Sequence, residues 1–142
     1  MSEADVEARA KAVREGVGLR LKEAHYPGRA PIDAYGDGGF RFAEMSHKGS
    51  LLCLPSGIYA WNAREFEKLV ADDFARLEDE TGLEMLLFGT GDELRPVPKV
   101  IAAYLTRLDV RVEPMSTGAA VRTLNVLLAE DRPVGAALLA VE

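Results

Sequence analysis

The residues best suited to chemistry lie in one turn, residues 89–92 (GTGD). The turn follows an apolar run at residues 85–88, and Pro98 beyond it suits the first turn of a helix. A glycine turn between a buried strand and a helix often binds phosphate, because backbone N–H groups and the helix N-terminus attract an anion. The first question is therefore whether this turn holds a ligand or only redirects the chain.

The neighbouring residues argue against phosphate. A dinucleotide-binding turn needs a third glycine where Leu94 stands, and the Gly-Lys-Ser/Thr sequence of a P-loop is absent. Asp92 puts a negative charge where the phosphate would lie, and Pro96 and Pro98 remove two backbone N–H donors. The turn is therefore predicted to be structural: Gly89 and Gly91 allow a positive φ angle or a close backbone approach.

A cleft at the strand ends remains a candidate binding site. Residues 115–118 (MSTG) follow another predicted strand, and ligands of open α/β sheets bind outside the carboxyl ends of the strands. Arg122 and Asn125 share a helix face. They either hydrogen-bond a neighbouring loop or bind a small anion or a partner's backbone. The candidate binding cleft comprises Gly89, Thr90, Gly91, Asp92, Ser116, Thr117, Arg122 and Asn125.

No catalytic or metal-binding set is predicted. His25 and His47, the two histidines, have no nearby cysteine or carboxylate at ligand spacing. Ser46 is merely adjacent to His47 in the sequence. Cys53, the single cysteine, lies in an apolar run and is interpreted as a core residue and not a nucleophile. We therefore expect no catalytic residues, no metal and no cofactor.

The net charge and the length of the apolar stretches make some classes of partner unlikely. The 142 residues carry a net charge of −6 with no basic stripe, which disfavours nucleic acid and anionic membrane surfaces. The longest apolar stretch, residues 134–141, is far shorter than the roughly 20 residues of a membrane span. The acidic start resembles neither a signal nor a transit peptide, so a cytoplasmic location is expected. The oligomeric state cannot be read from the sequence.

The first half of the chain predicts an appended arm and a β-meander. Residues 1–31 are interpreted as a helical or frayed arm with a linker, and residues 32–142 as a single α/β domain. Within the arm, residues 1–24 could alternatively bind a partner. Four short strands separated by turns are predicted between residues 32 and 61. Apolar residues at helical spacing then predict a helix over residues 63–80.

The second half of the chain predicts a β-α-β-α-β unit. Residues 85–88, 110–113 and 134–139 are the strands. The first helix begins near Pro98 and should turn Val100, Ile101, Tyr104, Leu105 and Leu108 inward. Ser116 should cap the second helix, whose inward residues are Ala120, Val121, Leu124, Leu127 and Leu128.

Four segments carry a resemblance to a known family: IDAYGDGGFRF, GSLLCLPSGIYAWN, EMLLFGTGD and EPMSTGAAVRTLNVLLAEDRPVGAALL. Together, from about residue 32 to 139, they resemble a widespread domain of unknown function. That family includes the mitochondrial complex I (NADH:ubiquinone oxidoreductase) assembly factor 3 and an animal branch associated with adipogenesis. This chain resembles its bacterial members.

The resemblance implies a three-layer α/β fold with a mixed central sheet and no established enzymatic activity. It implies a weak helix around residues 65–69, and Leu124 stands where relatives often carry an aromatic residue. The resulting hypothesis is a non-catalytic protein-interaction module that serves as a biogenesis or assembly factor for a membrane complex. The alternative hypothesis is a small-anion-binding or enzymatic domain that uses the strand-end cleft.

Overall fold

A computed structural model describes residues 26–142 of the chain. The arm predicted over residues 1–24 therefore lies outside the described residues. Residues 26–31, interpreted above as linker, contact the domain: the backbone of Tyr26 exchanges two hydrogen bonds of 2.9 Å with Ile58, and Ala30 is buried.

Two sheets organise the chain. A three-stranded antiparallel sheet has the order β1-β2-β3, and a five-stranded mixed sheet has the order β5-β4-β8-β6-β7. In the larger sheet β8, β6 and β7 are parallel, whereas β4 is antiparallel to both β5 and β8. The strands are β1 Ile32–Gly36, β2 Gly39–Phe42, β3 Met45–Lys48, β4 Ser50–Leu54, β5 Gly57–Trp61, β6 Met85–Gly89, β7 Arg111–Met115 and β8 Val134–Leu138.

Helices and the smaller sheet cover the two faces of the large sheet. One face packs against α1 (Lys99–Arg107) and two 3₁₀ segments, Phe66–Lys68 and Ala71–Asp79. The other face packs against α2 (Thr117–Ala129) and the three-stranded sheet. This confirms the predicted α/β fold with a mixed central sheet, a β-α-β-α-β second half and a preceding meander.

The central position of β6 follows from its sequence. Leu86, Leu87 and Phe88 are each at most 1% exposed, because both faces of the strand are covered. The predicted cap of α2 is also confirmed, since the Ser116 hydroxyl accepts a hydrogen bond of 3.3 Å from the Ala119 N–H. These two elements bring the candidate turns to the same edge of the sheet.

The continuous helix predicted over residues 63–80 is wrong. Two 3₁₀ segments replace it, and Leu69 and Val70 between them are extended. Trp61 explains part of the difference, because its indole N–H donates a 2.7 Å hydrogen bond to the Asp73 carbonyl. The indole also packs edge-on against Phe74, so tertiary contacts override the helical spacing of the apolar residues. The weak helix implied by the resemblance agrees with the structure.

Two further expectations need correction. Five strands, and not four, precede the 3₁₀ segments, because Met45–Lys48 forms an additional strand, β3. Sequence periodicity missed this strand because His47 is its single buried residue. Val100 was expected to face inward but is 62% exposed, since it lies in the first turn of α1 and points away from the sheet.

Candidate functional site

The two glycines of the turn after β6 serve different purposes. A Cβ atom on Gly89 would lie 3.0 Å from the Thr117 Cα and 3.2 Å from a Leu138 methyl carbon, so a side chain would require α2 to move away by a few tenths of an ångström. Gly91 has open space around it but a φ angle of +113°, which L-residues rarely adopt. Gly89 therefore permits close packing, and Gly91 permits the turn.

Thr90 joins the turn to its neighbours. The residue is 2% exposed, and its backbone N–H donates to the Met115 carbonyl at 2.9 Å. Its hydroxyl lies 2.6 Å from the Glu93 carbonyl and accepts a hydrogen bond of 3.0 Å from the Arg95 N–H. The side chain thus holds the loop that leads from β6 toward α1.

Thr117 closes the turn from the other side. Its hydroxyl is buried, donates to the Leu139 carbonyl at 2.7 Å and accepts the Gly91 N–H at 3.1 Å. Its own N–H donates to the Gly91 carbonyl at 2.8 Å. The turns that follow β6 and β7 are consequently bonded directly to each other.

This bonding determines what the turn can do chemically. The N–H groups of Thr90, Gly91 and Thr117, which would cradle a phosphate, all donate to protein oxygen atoms. An anion would have to break these bonds, and each buried group left unpaired costs about 1–3 kcal/mol. The exposed side chain of Asp92 would also repel the anion.

The remaining predicted residues lie apart from this turn. Arg122 is exposed on α2. The side-chain amide of Asn125 pairs with both backbone groups of Ile32, accepting its N–H and donating to its carbonyl at 2.9 Å each. The structure therefore brings Gly89, Thr90, Gly91 and Thr117 together and separates Arg122 and Asn125 from them.

Two arginines that sequence reasoning missed line an open cleft of about 400 Å³ beside the turn. Arg95 pairs with Glu67 and lies over the Phe66 ring, 5.1 Å from its centroid. Its hydrogen bond lowers the pKa of the Glu67 carboxyl. Arg64 has no ion pair among the described residues. No sequence signal marked either arginine: Arg64 lies in the segment for which a helix was wrongly predicted, and Arg95 lies in the irregular loop after the turn.

The candidate nucleophile is inert. Cys53 is buried in β4, and burial raises the pKa of its thiol to about 12, so the reactive thiolate is suppressed near neutral pH. This confirms its interpretation as a core residue. Within residues 26–142, no group of three or more His, Cys, Asp or Glu side chains is arranged to hold a metal ion. The helices of the same residues include none long and apolar enough to span a bilayer.

Comparisons with known proteins agree with this description. An uncharacterized protein from Rhodobacter capsulatus is 41% identical over 119 residues, which are 83% of this chain and 90% of that protein. The NADH dehydrogenase (ubiquinone) 1 alpha subcomplex assembly factor 3 of Drosophila melanogaster is 30% identical over 112 residues. That alignment covers 76% of this chain but 57% of the longer fly protein.

A solved structure, described as an outer membrane protein from Bartonella henselae, is also similar. It matches with a TM-score of 0.79 and 54% sequence identity, over 83% of this chain and 100% of that chain. Residues 32–139 match the family described as protein of unknown function (DUF498/DUF598). This chain therefore belongs to the DUF498/DUF598 family.

Proposed function

We propose that this chain is a non-catalytic protein-interaction module that serves as an assembly factor for a membrane complex, by analogy with its animal relatives. The observation that carries the proposal is the closed turn after β6. Thr90 and Thr117 use its polar groups internally, so the position where α/β domains commonly bind a ligand is filled by the protein itself. Function must then depend on other parts of the surface.

The same proposal covers the setting in which the chain works. We place residues 32–142 in one interaction domain, in the cytoplasm, with a protein partner and no nucleic acid. The net charge of −6 supports the exclusion of nucleic acid. The membrane description of the Bartonella protein makes location worth measuring: fractionation of cells should recover the chain with soluble proteins, and tight association with outer membranes would contradict this placement.

The assembly role can be tested in Rhodobacter capsulatus, whose relative is 41% identical. Cells that lack this relative should contain less assembled NADH dehydrogenase on native gels of their membranes. Expression of the present chain should restore the complex. Unchanged assembly in the deletion strain would contradict the proposal.

An anion site is the second candidate, because Arg64 lines the open cleft without an ion pair among the described residues. Four carboxylates line the same cleft and oppose an anion there: Glu65, Glu67, Asp92 and Glu93. An anion at 100 times its dissociation constant should stabilise the fold by about 2.7 kcal/mol. Arg64→Gln should abolish that thermal shift, whereas Arg122→Gln, a matched change on α2, should not. Restored assembly by Arg64→Gln in Rhodobacter would show that the cleft is dispensable for the assembly role.

A further inference from the structure

The outer edge of β3 presents an open row of backbone groups. On its inner side β3 pairs with β2, in the register Phe40↔His47 and Phe42↔Met45. The ladder continues with the Gly49 N–H donating to the Gly38 carbonyl at 2.8 Å. Because hydrogen-bonded pairs alternate in an antiparallel ladder, His47 and Met45 direct their backbone groups toward β2. Ser46 and Lys48 therefore direct theirs outward.

These outward groups are accessible. By this alternation the backbone groups of Ser46 and Lys48 take no part in the ladder, no backbone hydrogen bond outside the ladders joins them to the rest of residues 26–142, and both residues are exposed. His47 between them is buried, and its Nε2 lies 3.0 Å from the Ser50 carbonyl on the next strand. The edge is thus anchored to the core and does not need to be ordered before a partner binds.

The other edge strands carry features that hinder strand addition. On β7 the residues whose backbone groups bond β6 alternate with residues whose backbone groups point outward. Pro114 is one of the outward residues, and as a proline it has no N–H to donate. On β5 the backbone of Ile58 already bonds Tyr26, and on β1 the Asn125 amide occupies both groups of Ile32. The open row on β3 differs from all three.

Charge indicates what kind of segment fits. Ser46 and Lys48 lie on the outer face of the small sheet, where with Arg41 they line a cavity of about 320 Å³. Arg41 and Lys48 are diagonal neighbours on adjacent strands. Asp37, in the turn at one end of the ladder, lines the same cavity, and Glu44 lies in the turn at the other end. The outer face beside this edge therefore carries two cations, Lys48 at the end of β3 and Arg41 on β2, in a protein whose net charge is −6.

We infer that the β3 edge binds an extended acidic segment of a partner protein by β-strand addition. Backbone groups of Ser46 and Lys48 pair with the added strand, which supplies the affinity. Partner residues opposite Ser46 and Lys48 point to the outer face, because paired residues share a face. Carboxylates at two alternate positions then lie beside Arg41 and Lys48, which supplies the specificity. The inference rests on the proposed interaction role and names the partner's chemistry.

A capped peptide in which glutamate alternates with threonine is the probe, and the same peptide with lysine for glutamate is its control. Titration of the full chain, followed by amide NMR shifts, should show binding of the glutamate peptide centred on β3. Lys48→Glu and Arg41→Glu should each weaken that binding by about tenfold or more, since like charges then meet. Arg122→Glu on α2 changes the net charge equally and should leave it unchanged.

The Ser46→Pro substitution tests the contribution of the β3 backbone hydrogen bonds to peptide binding. Its outward N–H is lost without loss of a backbone bond to β2, so the fold should persist by circular dichroism while peptide binding falls about tenfold or more. The substitution also removes the 3.1 Å hydrogen bond from the Arg41 side chain to the Ser46 hydroxyl, so Ser46→Ala, which removes the hydroxyl alone, is the matched control and should bind the peptide nearly as well as the parent. The inference would be overturned if both peptides bound equally, or if neither bound at millimolar concentration. It would also be overturned if the NMR shifts lay away from β3, or if the chain associated with itself through β3 and did not bind the peptide. Complementation in Rhodobacter by Ser46→Pro, with partner capture intact, would overturn it while leaving the assembly role standing.

Discussion

The backbone polar groups of the turn after β6 are hydrogen-bonded within the protein, whereas those at the outer edge of β3 are accessible. In the turn, Thr90 and Thr117 engage the neighbouring N–H and carbonyl groups through bonds of 2.6–3.1 Å. At the edge, Ser46 and Lys48 leave theirs exposed. A glycine-rich turn is the conspicuous feature of the sequence, yet it is the closed region, and the inconspicuous strand is the open one.

This difference shows what a local sequence pattern can predict. It predicts where the backbone turns, but it does not predict whether the N–H groups of that turn remain free to bind a ligand. Gly89 and Gly91 mark the bend. Thr117, 26 residues beyond Gly91, decides whether the bend can bind a ligand.

Thr117→Val should be the most damaging substitution. It preserves shape but removes the hydroxyl that serves the Leu139 carbonyl and the Gly91 N–H, so one buried and one half-buried group lose their partner. We expect a loss of about 2–4 kcal/mol in the free energy of unfolding. Urea denaturation measures it. Thr123→Val on the same helix is the control and should cost far less; equal losses would mean that the turn is not closed by Thr117.

Cys53 tests whether α2 and residues 29–30 are firmly packed on β4, because Ala30, Leu124 and Leu128 lie beside its thiol. Its thiol has a pKa of about 12 when folded and 9.0 as the reference for the unfolded chain. Below about pH 9 both states hold the proton and stability is independent of this group. Above it the unfolded chain loses the proton first, so stability falls by about 1.4 kcal/mol per pH unit, or roughly 2–3 kcal/mol by about pH 11.

The difference in unfolding free energy between the parent and Cys53→Ala isolates this effect. Tyr104, whose pKa is raised to about 12 by burial and by its hydrogen bond to Glu78, contributes equally to both proteins. The stability advantage of the parent should therefore shrink between pH 9 and 11. A constant advantage would mean that water reaches Cys53 and that α2 and residues 29–30 pack loosely on β4.

The two glycines should respond to alanine for different reasons. Gly89→Ala forces a Cβ to 3.0 Å from the Thr117 Cα and should cost about 1–3 kcal/mol through strain. Gly91→Ala meets no atom within 4 Å but must adopt a φ of +113°, at about 1–2 kcal/mol. Crystal structures separate the causes: Gly89→Ala should displace α2, and Gly91→Ala should change the turn alone. Displacement of α2 by both would refute this division.

The sequence predicted what depends on local pattern and failed where distant residues decide. The apolar run of β6 and the cap at Ser116 were predictable from composition and spacing. The 3₁₀ geometry around Asp73 was not, because it depends on the Trp61 indole. A hydrogen bond from Asn125 to a neighbouring segment is one of the two alternatives that the sequence offers, but its partner, Ile32, is 93 residues away and could not be deduced.

Asp92→Asn should have the smallest effect. The side chain is exposed and makes no hydrogen bond or ion pair within residues 26–142, so the unfolding free energy should change by no more than about 0.5 kcal/mol. A phosphate titration of this variant by thermal shift should also remain flat. Phosphate binding that appears once the charge is removed would mean that Asp92, and not the bonded turn, excludes anions.

Amide hydrogen exchange of the full chain, resolved by NMR, tests the contrast between the two regions most directly. The account predicts slow exchange at Thr90, Gly91 and Thr117, whose N–H groups donate to protein oxygen atoms, and fast exchange at Ser46 and Lys48. Addition of the glutamate peptide should slow exchange at Ser46 and Lys48 and leave the turn unchanged. Fast exchange at Gly91 that phosphate slows, with Ser46 and Lys48 already protected, would contradict the account.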